Sequence, residues 1–382
     1  MSRLLVAARP RDLAVAPYDA FVNRRHRILE ILSRHYQLRL VLLRADTDKF
    51  VIREDYEDLV VGYTRLAGPP DSRLLRLAAA GRVGVTSWAA DGERLADLAR
   101  RSGADRSLSF GPWLDVAFQP LWSVLPSLHF FEEDLRRMPE NAPQSRQAML
   151  QRTLEDALVA RAGAQPRVIV TISRAEAEPA RRRFPKARLL WHPYTLDPKE
   201  WPLALDPSHG ARVLVVGQFA EARNAEGLRD VLDALAGLGG PELGVVLVSG
   251  AGVHPCLEDH MAAGRLRRLE VPGPLYDVYR SSLLTLVPAR RVTGIKTTVL
   301  QSWSAGTPVV CFPASAATLG GDAAAAAAVG ETPVEVARLL VSLGGDPTAR
   351  DRYAAAGRRQ LRTTFDPGAR DEELLDAIAA LR

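Results

Sequence analysis

The sequence predicts an α/β protein of two doubly wound domains facing each other across a cleft. Three observations predict it. Short apolar runs rich in Val, Leu and Ile alternate with longer amphipathic stretches, the pattern of parallel strands joined by crossover helices. A chain of 382 residues exceeds one ordinary core and suits two. A break rich in Pro198, Pro202, Pro207, His209 and Gly210 interrupts regular structure, after which the alternation starts afresh. The domains are expected at 1–203 and 204–365, with the Pro202–Gly210 stretch as hinge and a last helix at 366–382 packing back on the first domain.

The first half opens with a strand at 4–8, a helix over 21–35 and a strand at 38–43, one βαβ unit. Residues 46–87 carry Arg and Pro without clear periodicity, apart from a helix expected at 72–80. A helix at 92–101, strands at 107–110 and ending at 128, a long helix over 132–162 and strands at 167–172 and 188–191 complete it. The second half reads as a strand at 212–216, a helix at 224–238 and strands at 244–249, 282–287 and 309–312. Helices at 332–342, 347–364 and 369–381 close the chain, the last beginning after Phe365-Asp366-Pro367. The alanine run at 323–328 reads as a packed helix.

Hydrophobic residues at 47% and charged residues at 25% are globular values. Two cysteines, Cys256 and Cys311, exclude a disulfide framework and fit a reducing cytoplasm; Cys311 lies in the apolar run PVVCF and reads as core. No apolar run reaches the roughly 20 residues of a membrane span, and the opening MSRLLVAARPRD reads as a short strand rather than a signal peptide. The net charge of +5 comes from arginine, a bias of high-GC bacterial genomes. The basic helix RRHRILEILSRHYQLR reads as a solvated face, with peripheral membrane contact as the competing reading. Basic residues are otherwise scattered without a recognition motif, so nucleic acid is not an expected partner. No HExxH, CxxC or Walker GK[ST] occurs, and Asp46-Thr47-Asp48 sits in the wrong context for a metal motif; no metal and no cofactor are expected.

The most informative stretch is 287–312, VPARRVTGIKTTVLQSWSAGTPVVCF. It reads as a strand end, a loop with Arg290, Arg291 and Lys296, a helix starting near Ile295, and a second strand. The free amides of Lys296, Thr297 and Thr298, with Gly294 before them, would then face an anion, because unpaired N–H groups and the positive end of the helix dipole both favour one. A diphosphate is the expected ligand. Among the glycines after buried strands, Gly217 is a turn glycine that also lets backbone approach a ligand.

Taken in order, several segments resemble the GT-B fold glycosyltransferases, specifically the large retaining group called family 4. These are VIVTISRAEAE from Val168, HPYTLDPKEW from His192, VLVVGQFAEARNAEGL from Val213, VPGPLYDVYRSSLLTLVPARR from Val271, and TGIKTTVLQSWSAGTPVV from Thr293. The opening APYDAFVNRRHRILEIL is similar to one branch of the family. The resemblance implies two Rossmann-like domains and a nucleotide-diphosphate sugar as co-substrate. It also implies a hydroxyl acceptor, either a small natural product or a lipid-linked saccharide.

It further implies site residues. Lys296, Gly294, Thr297 and Thr298 would hold the donor diphosphate, with Gly217 and Arg223 beside them. Gln301 stands where the family has a glutamate for the ribose, keeping one carbonyl acceptor and losing the charge. Thr293 and Gln218 are further departures, at a glutamate and an arginine position, and Arg290, Arg291 and Lys296 are expected to supply positive charge instead. His129 and Glu132, in PSLHFFEEDL just past an expected strand end, would be catalytic; a structural histidine and a first-turn carboxylate are the plainer readings. Asn23 and Arg24, at the first loop–helix junction, would meet the acceptor. The expected function is a cytoplasmic, retaining hexosyltransferase; a silent binding protein or a sugar-nucleotide epimerase of the same fold are the alternatives.

Overall fold

The computed structural model describes residues 1–9, 13, 20–44, 54–67, 89–110, 115–131, 164–206, 210–238, 243–250, 252–271, 274–292 and 294–381. The chain divides into two compact units. The first comprises Met1–Ile172, Glu176–His192 and Arg370–Arg382; the second comprises Ser173–Ala175 and Pro193–Ala369.

The first unit carries β1 (Arg3–Ala8), α1 (Ala20–Ser33), β2 (Gln37–Arg44), β3 (Val60–Ala67), β4 (Ala89–Ala90), α2 (Gly92–Arg101), β5 (Arg106–Phe110), α3 (Asp115–Trp122), β6 (Ser127–Phe131), β7 (Val168–Thr171), α4 (Ala177–Arg183) and β8 (Arg188–Trp191). Its sheet runs β4-β3-β2-β1-β5-β6-β7-β8, with only the β3–β4 pair antiparallel. Along β1, Leu4, Val6 and Ala8 join one core and Leu5 and Ala7 another. Side chains alternate across a strand, so burial of all five requires helices on both faces, and that is the doubly wound arrangement.

The second unit carries β9 (Arg212–Gly217), α5 (Ala222–Leu238), β10 (Gly244–Ser249), α6 (Glu258–Ala262), β11 (Leu266–Arg268), α7 (Leu275–Arg280), β12 (Leu284–Val287), α8 (Thr297–Ser304), β13 (Val309–Cys311), α9 (Pro313–Ala317), α10 (Gly321–Ala324), β14 (Ala328–Val329), α11 (Pro333–Gly345) and α12 (Pro347–Thr363). Its all-parallel sheet runs β11-β10-β9-β12-β13-β14. The last helix, α13 (Pro367–Ala379), ends in the first unit, where Leu374, Ala377 and Ile378 enter the β1 core.

The Pro-rich stretch is fastened to α8. The Ser304 hydroxyl donates to the carbonyls of Trp201 and Pro202, and Ala204 N–H donates to the Ser304 carbonyl at 2.7 Å. The crossing from first to second unit falls at His192/Pro193, against the 203/204 boundary expected from sequence.

Elements missed by periodicity have physical reasons. Strand β3 pairs with β2 through a register shift at Leu40/Val41, which blurs its alternation. Helix α3 holds Pro120 in its interior, a residue that reads as a breaker. Strand β11 is Leu-Arg-Arg with only the leucine buried. The alanine run is corrected: α10 ends at Ala324, and after a turn Ala328 pairs with Val310 in edge strand β14. Alanine follows the pairing offered to it here, because it has little side chain to oppose a strand. The helices expected at 72–80 and 132–162 lie outside the described residues.

Candidate functional site

The second sheet has a switch point between β9 and β12. From β9 the chain moves outward through β10 to β11; β12, β13 and β14 lie on the other side. Connections leaving in opposite directions open a crevice at the carboxyl ends of such a strand pair. Gly217 closes β9 there, and the loop from Pro288 follows β12. The two sides meet closely: a Cβ on Gly227 of α5 would lie 2.0 Å from the Pro288 carbonyl oxygen. Arg290 reaches back to Asp230 of α5 at 2.9 Å, with its guanidinium 5.4 Å from the Phe312 ring centre.

Helix α8 points its N-terminus at this end of the sheet, since it follows β12 directly. It begins at Thr297, not near Ile295, and Lys296 is its N-cap with extended backbone (φ −74, ψ 105). That is a correction: the first-turn amides left without a described acceptor belong to Thr297 and Thr298, while Val299 N–H already donates to the Lys296 carbonyl at 2.9 Å. Among the described residues no group accepts from the Thr297 or Thr298 amide. No side chain caps the end, and the cap position holds a lysine. Ser, Thr, Asp or Asn would be the stabilising choices, and a cation opposes the helix dipole. Ile295 and Gly294 are buried and anchor the loop, leaving Lys296, Thr297 and Thr298 half-buried.

Behind this turn lies a residue that periodicity missed. Tyr279 of α7 is fully buried, 5.8 Å from the Trp201 ring, and its hydroxyl donates to Gln301 Oε1 at 3.1 Å. The carbonyl expected to serve a ribose therefore already has a partner inside the protein. An apolar-spaced aromatic in LYDVYR looks like core from sequence and is core, and its spacing gives no sign that its hydroxyl meets Gln301.

The loops after β9 and β10 brace each other. Phe219 N–H donates to Ser249 Oγ at 3.3 Å, Ser249 Oγ donates to the Gly252 carbonyl at 2.6 Å, and His254 N–H donates to the Phe219 carbonyl at 2.7 Å. Gln218 is exposed, and its carbonyl accepts from Asn224 Nδ2 at 2.9 Å. Arg223 falls in the first turn of α5, with its side chain outside the described residues. Of the cations expected at the diphosphate, Arg290 is held by Asp230 instead, and Arg291 is exposed. Thr293 lies outside the described residues.

The first unit corrects two expectations. His129 is not past a strand end but in the middle of β6, fully buried. Its Nδ1 meets Ser109 Oγ at 2.9 Å, and the rings of Trp122, Phe118 and Phe184 stand 5.2, 5.6 and 6.2 Å away. An imidazole walled in by aromatics cannot touch a substrate, so it is a core histidine. Arg24 turns inward from α1: 5% exposed, it donates to the His192 carbonyl at 2.5 Å and lies 5.2 Å from the Phe130 ring centre. It holds structure, not an acceptor. Asn23 is exposed on α1, and Glu132 lies outside the described residues.

Burial pushes the Cys311 thiol up to about 12, which removes it as a nucleophile. Among the described residues no three His, Cys, Asp or Glu side chains gather as a metal site, and no helix is long and apolar enough to cross a membrane.

Comparison with known proteins agrees with this geometry. Residues 210–346 match the family described as "Glycosyl transferases group 1", a span that contains the whole β9–β14 sheet and the α8 tip. No curated protein matches. The chain shares its fold with sucrose-phosphate synthase from Thermosynechococcus elongatus (TM-score 0.69, 13% identity, 100% of this chain and 99% of that one). It shares it also with HepE from Anabaena, solved in complex with UDP and glucose (TM-score 0.65, 13% identity, 100% of both chains). A third is WaaG, a glycosyltransferase involved in lipopolysaccharide biosynthesis (TM-score 0.61, 12% identity, 100% of both chains).

Proposed function

We propose that this chain, a GT-B glycosyltransferase by fold with a group 1 glycosyl transferase domain at residues 210–346, moves a sugar from a nucleotide-diphosphate donor to a hydroxyl acceptor with retention at the anomeric carbon. The observation that carries the reading is the uncapped first turn of α8, with Lys296 at the cap position, at the switch point of the second sheet. HepE, of the same fold, was solved with UDP and glucose, which supports a nucleotide sugar as the donor.

The chemistry follows from charge. The bond from the anomeric carbon to the diphosphate oxygen breaks, and the acceptor oxygen bonds that carbon from the same face. The acceptor's proton passes to the leaving diphosphate. Negative charge grows on the diphosphate as the bond lengthens, and the Thr297 and Thr298 amides with the Lys296 ammonium stabilise it there without reorganising. Those fixed charges motivate the proposal that no metal is required. The first unit takes the acceptor, a natural product or a lipid-linked saccharide, and the protein works in the cytoplasm, with peripheral membrane contact through α1 as a further arm of the proposal.

Calorimetry with a panel of nucleoside diphosphates, followed by turnover of the matching nucleotide sugar with and without EDTA, tests this. Binding with EDTA-insensitive transfer sustains it; failure to bind any nucleotide sinks it. One observation favours a second reading, a silent glycosyltransferase-like binding protein. Arg290 is tied to Asp230 and so is withdrawn from the diphosphate charge. Nucleotide binding without transfer or slow donor hydrolysis would select that reading. Product analysis without acceptor separates an epimerase of the same fold.

A further inference from the structure

Three successive residues after β12 are each held by a different neighbour. The Pro288 carbonyl lies so close to Gly227 of α5 that a Cβ there would sit 2.0 Å from it. The Ala289 carbonyl accepts from the buried Ser315 hydroxyl of α9 at 3.2 Å. The Arg290 guanidinium meets Asp230 Oδ2 at 2.9 Å and also lies 5.4 Å from the centre of the Phe312 ring. Gly227 and Asp230 are three positions apart on α5 and so share a face. That face follows β9 and Phe312 follows β13, on opposite sides of β12, so Arg290 joins the two across the loop.

The Asp230 carboxylate is itself oriented. Arg229 donates to Oδ1 from Nε at 3.1 Å and from Nη2 at 2.8 Å, which leaves Oδ2 to Arg290. The pair is only partly sheltered, with Arg290 44% and Asp230 23% exposed, and an ion pair in such a place adds little to stability. What the pair supplies is position. Beyond Arg290 the loop is anchored again by Val292 and Ile295, both buried, so a backbone fixed at Arg290 has little slack before Lys296.

We propose that Asp230 and Arg290 are positioning residues for the donor, that Arg229 holds the Asp230 carboxylate for this task, and that the Arg290 guanidinium does not touch the ligand. This rests on the donor site proposed above and deepens it. The pair braces the loop from Pro288 against α5 and the end of β13, and so sets where the crevice presents its donors to a diphosphate. A brace and a stored ligand differ in sign. A cation merely stored on Asp230 would be released by Asp230→Asn, and an anion would then bind more tightly. A brace loses its hold on the loop when either member is neutralised, and the anion binds more weakly.

The test is calorimetric binding of inorganic diphosphate, UDP, GDP, ADP and dTDP to the unaltered chain, Asp230→Asn, Arg290→Met and the double variant, with a melting temperature for each. Each single variant is expected to lose about three- to tenfold in affinity for inorganic diphosphate and for the nucleotide that binds, the scale of coupled neighbours in one network. The double variant should lose no more than the more impaired single one. Melting temperatures should stay within about 2 °C of the unaltered chain's, as for a partly exposed pair. Arg229→Gln, further from the loop, should show a smaller loss that vanishes in the Arg290→Met background. Losses that multiply in the double variant would put Arg290 on the ligand, and tighter binding by Asp230→Asn would make it a stored cation. Either result overturns the brace and leaves the donor site standing. Affinities unchanged in every variant, or lost only in step with melting temperature, overturn it too. An unaltered chain that binds none of these probes overturns the donor site and the brace with it.

Discussion

Arg27 and Asp371, 344 positions apart in the chain, meet at 2.9 Å. The pair ties α13 to α1 as the chain re-enters the first unit. Asp371 also stands 3.8 Å from His192 Nε2, and His192 is the last residue before the chain leaves that unit. Both side chains of the pair are mostly sheltered, at 23% and 17% exposed, so losing one partner leaves charge in a poorly hydrated place. Asp371→Ala is expected to destabilise the protein by about 1–3 kcal/mol, below the range for fully buried pairs. Urea denaturation followed by a first-unit tryptophan such as Trp191 would measure it, and an unchanged midpoint would remove the pair from any account of stability.

His192 adds a pH dependence. Its burial, then the neighbouring Arg24 and Arg27 cations, lower its pKa from 6.5 to about 4 against the opposing pull of Asp371. The unfolded chain therefore takes up the proton first. The stability contributed by neutral His192 is complete above about 6.5 and is lost as pH falls from there toward 4. The shift corresponds to roughly 3 kcal/mol at most. Melting temperature against pH, compared with His192→Gln, is the measurement; the variant's curve should be flatter across that window.

Lys296→Ala removes the cation at the α8 tip. Donor KM should rise and kcat fall together, because the charge on the leaving diphosphate grows toward the transition state. A loss of about 10- to 100-fold in kcat/KM is the scale of one charged contact. Donor kinetics equal to the unaltered enzyme's would take Lys296 out of the site.

Gly227→Ala tests the close approach of α5 to the loop after β12. The added methyl would sit 2.0 Å from a backbone oxygen, which cannot rotate away as a side chain can. A cost of about 2 kcal/mol or more is expected, read as a lower melting temperature. Nucleotide affinity should fall with it, because the Pro288 loop leads to α8.

His129→Ala should behave as a core substitution. It empties space among Phe118, Trp122 and Phe184 and leaves Ser109 Oγ with only the Trp122 Nε1–H bond, for a cost of about 2–4 kcal/mol. Turnover per folded molecule should stay the same; a loss of 1,000-fold or so in kcat without unfolding would restore it as a catalytic residue.

Much of this molecule is written locally. Alternating apolar runs place β1, β2, β9, β10 and β12, with helices α1 and α5, within a residue or two, because a strand buried on both faces needs Val, Leu and Ile throughout. The uncapped lysine at the start of α8 is legible for the same reason: caps and dipoles act within one turn. Partnerships across the chain are not legible, since side-chain direction and long-range neighbours carry no local signal. His129 reads as a polar residue at a strand end and is walled in by three rings that packing brings together. Arg290 reads as a phosphate ligand until Asp230 is found beside it. Gln301 reads as a ribose acceptor, and only the folded chain sets the Tyr279 hydroxyl against its Oε1. Sequence alone established the elements and their order; folding selected which polar atoms are already partnered, because hydrogen bonds and burial depend on neighbours that the linear order does not name.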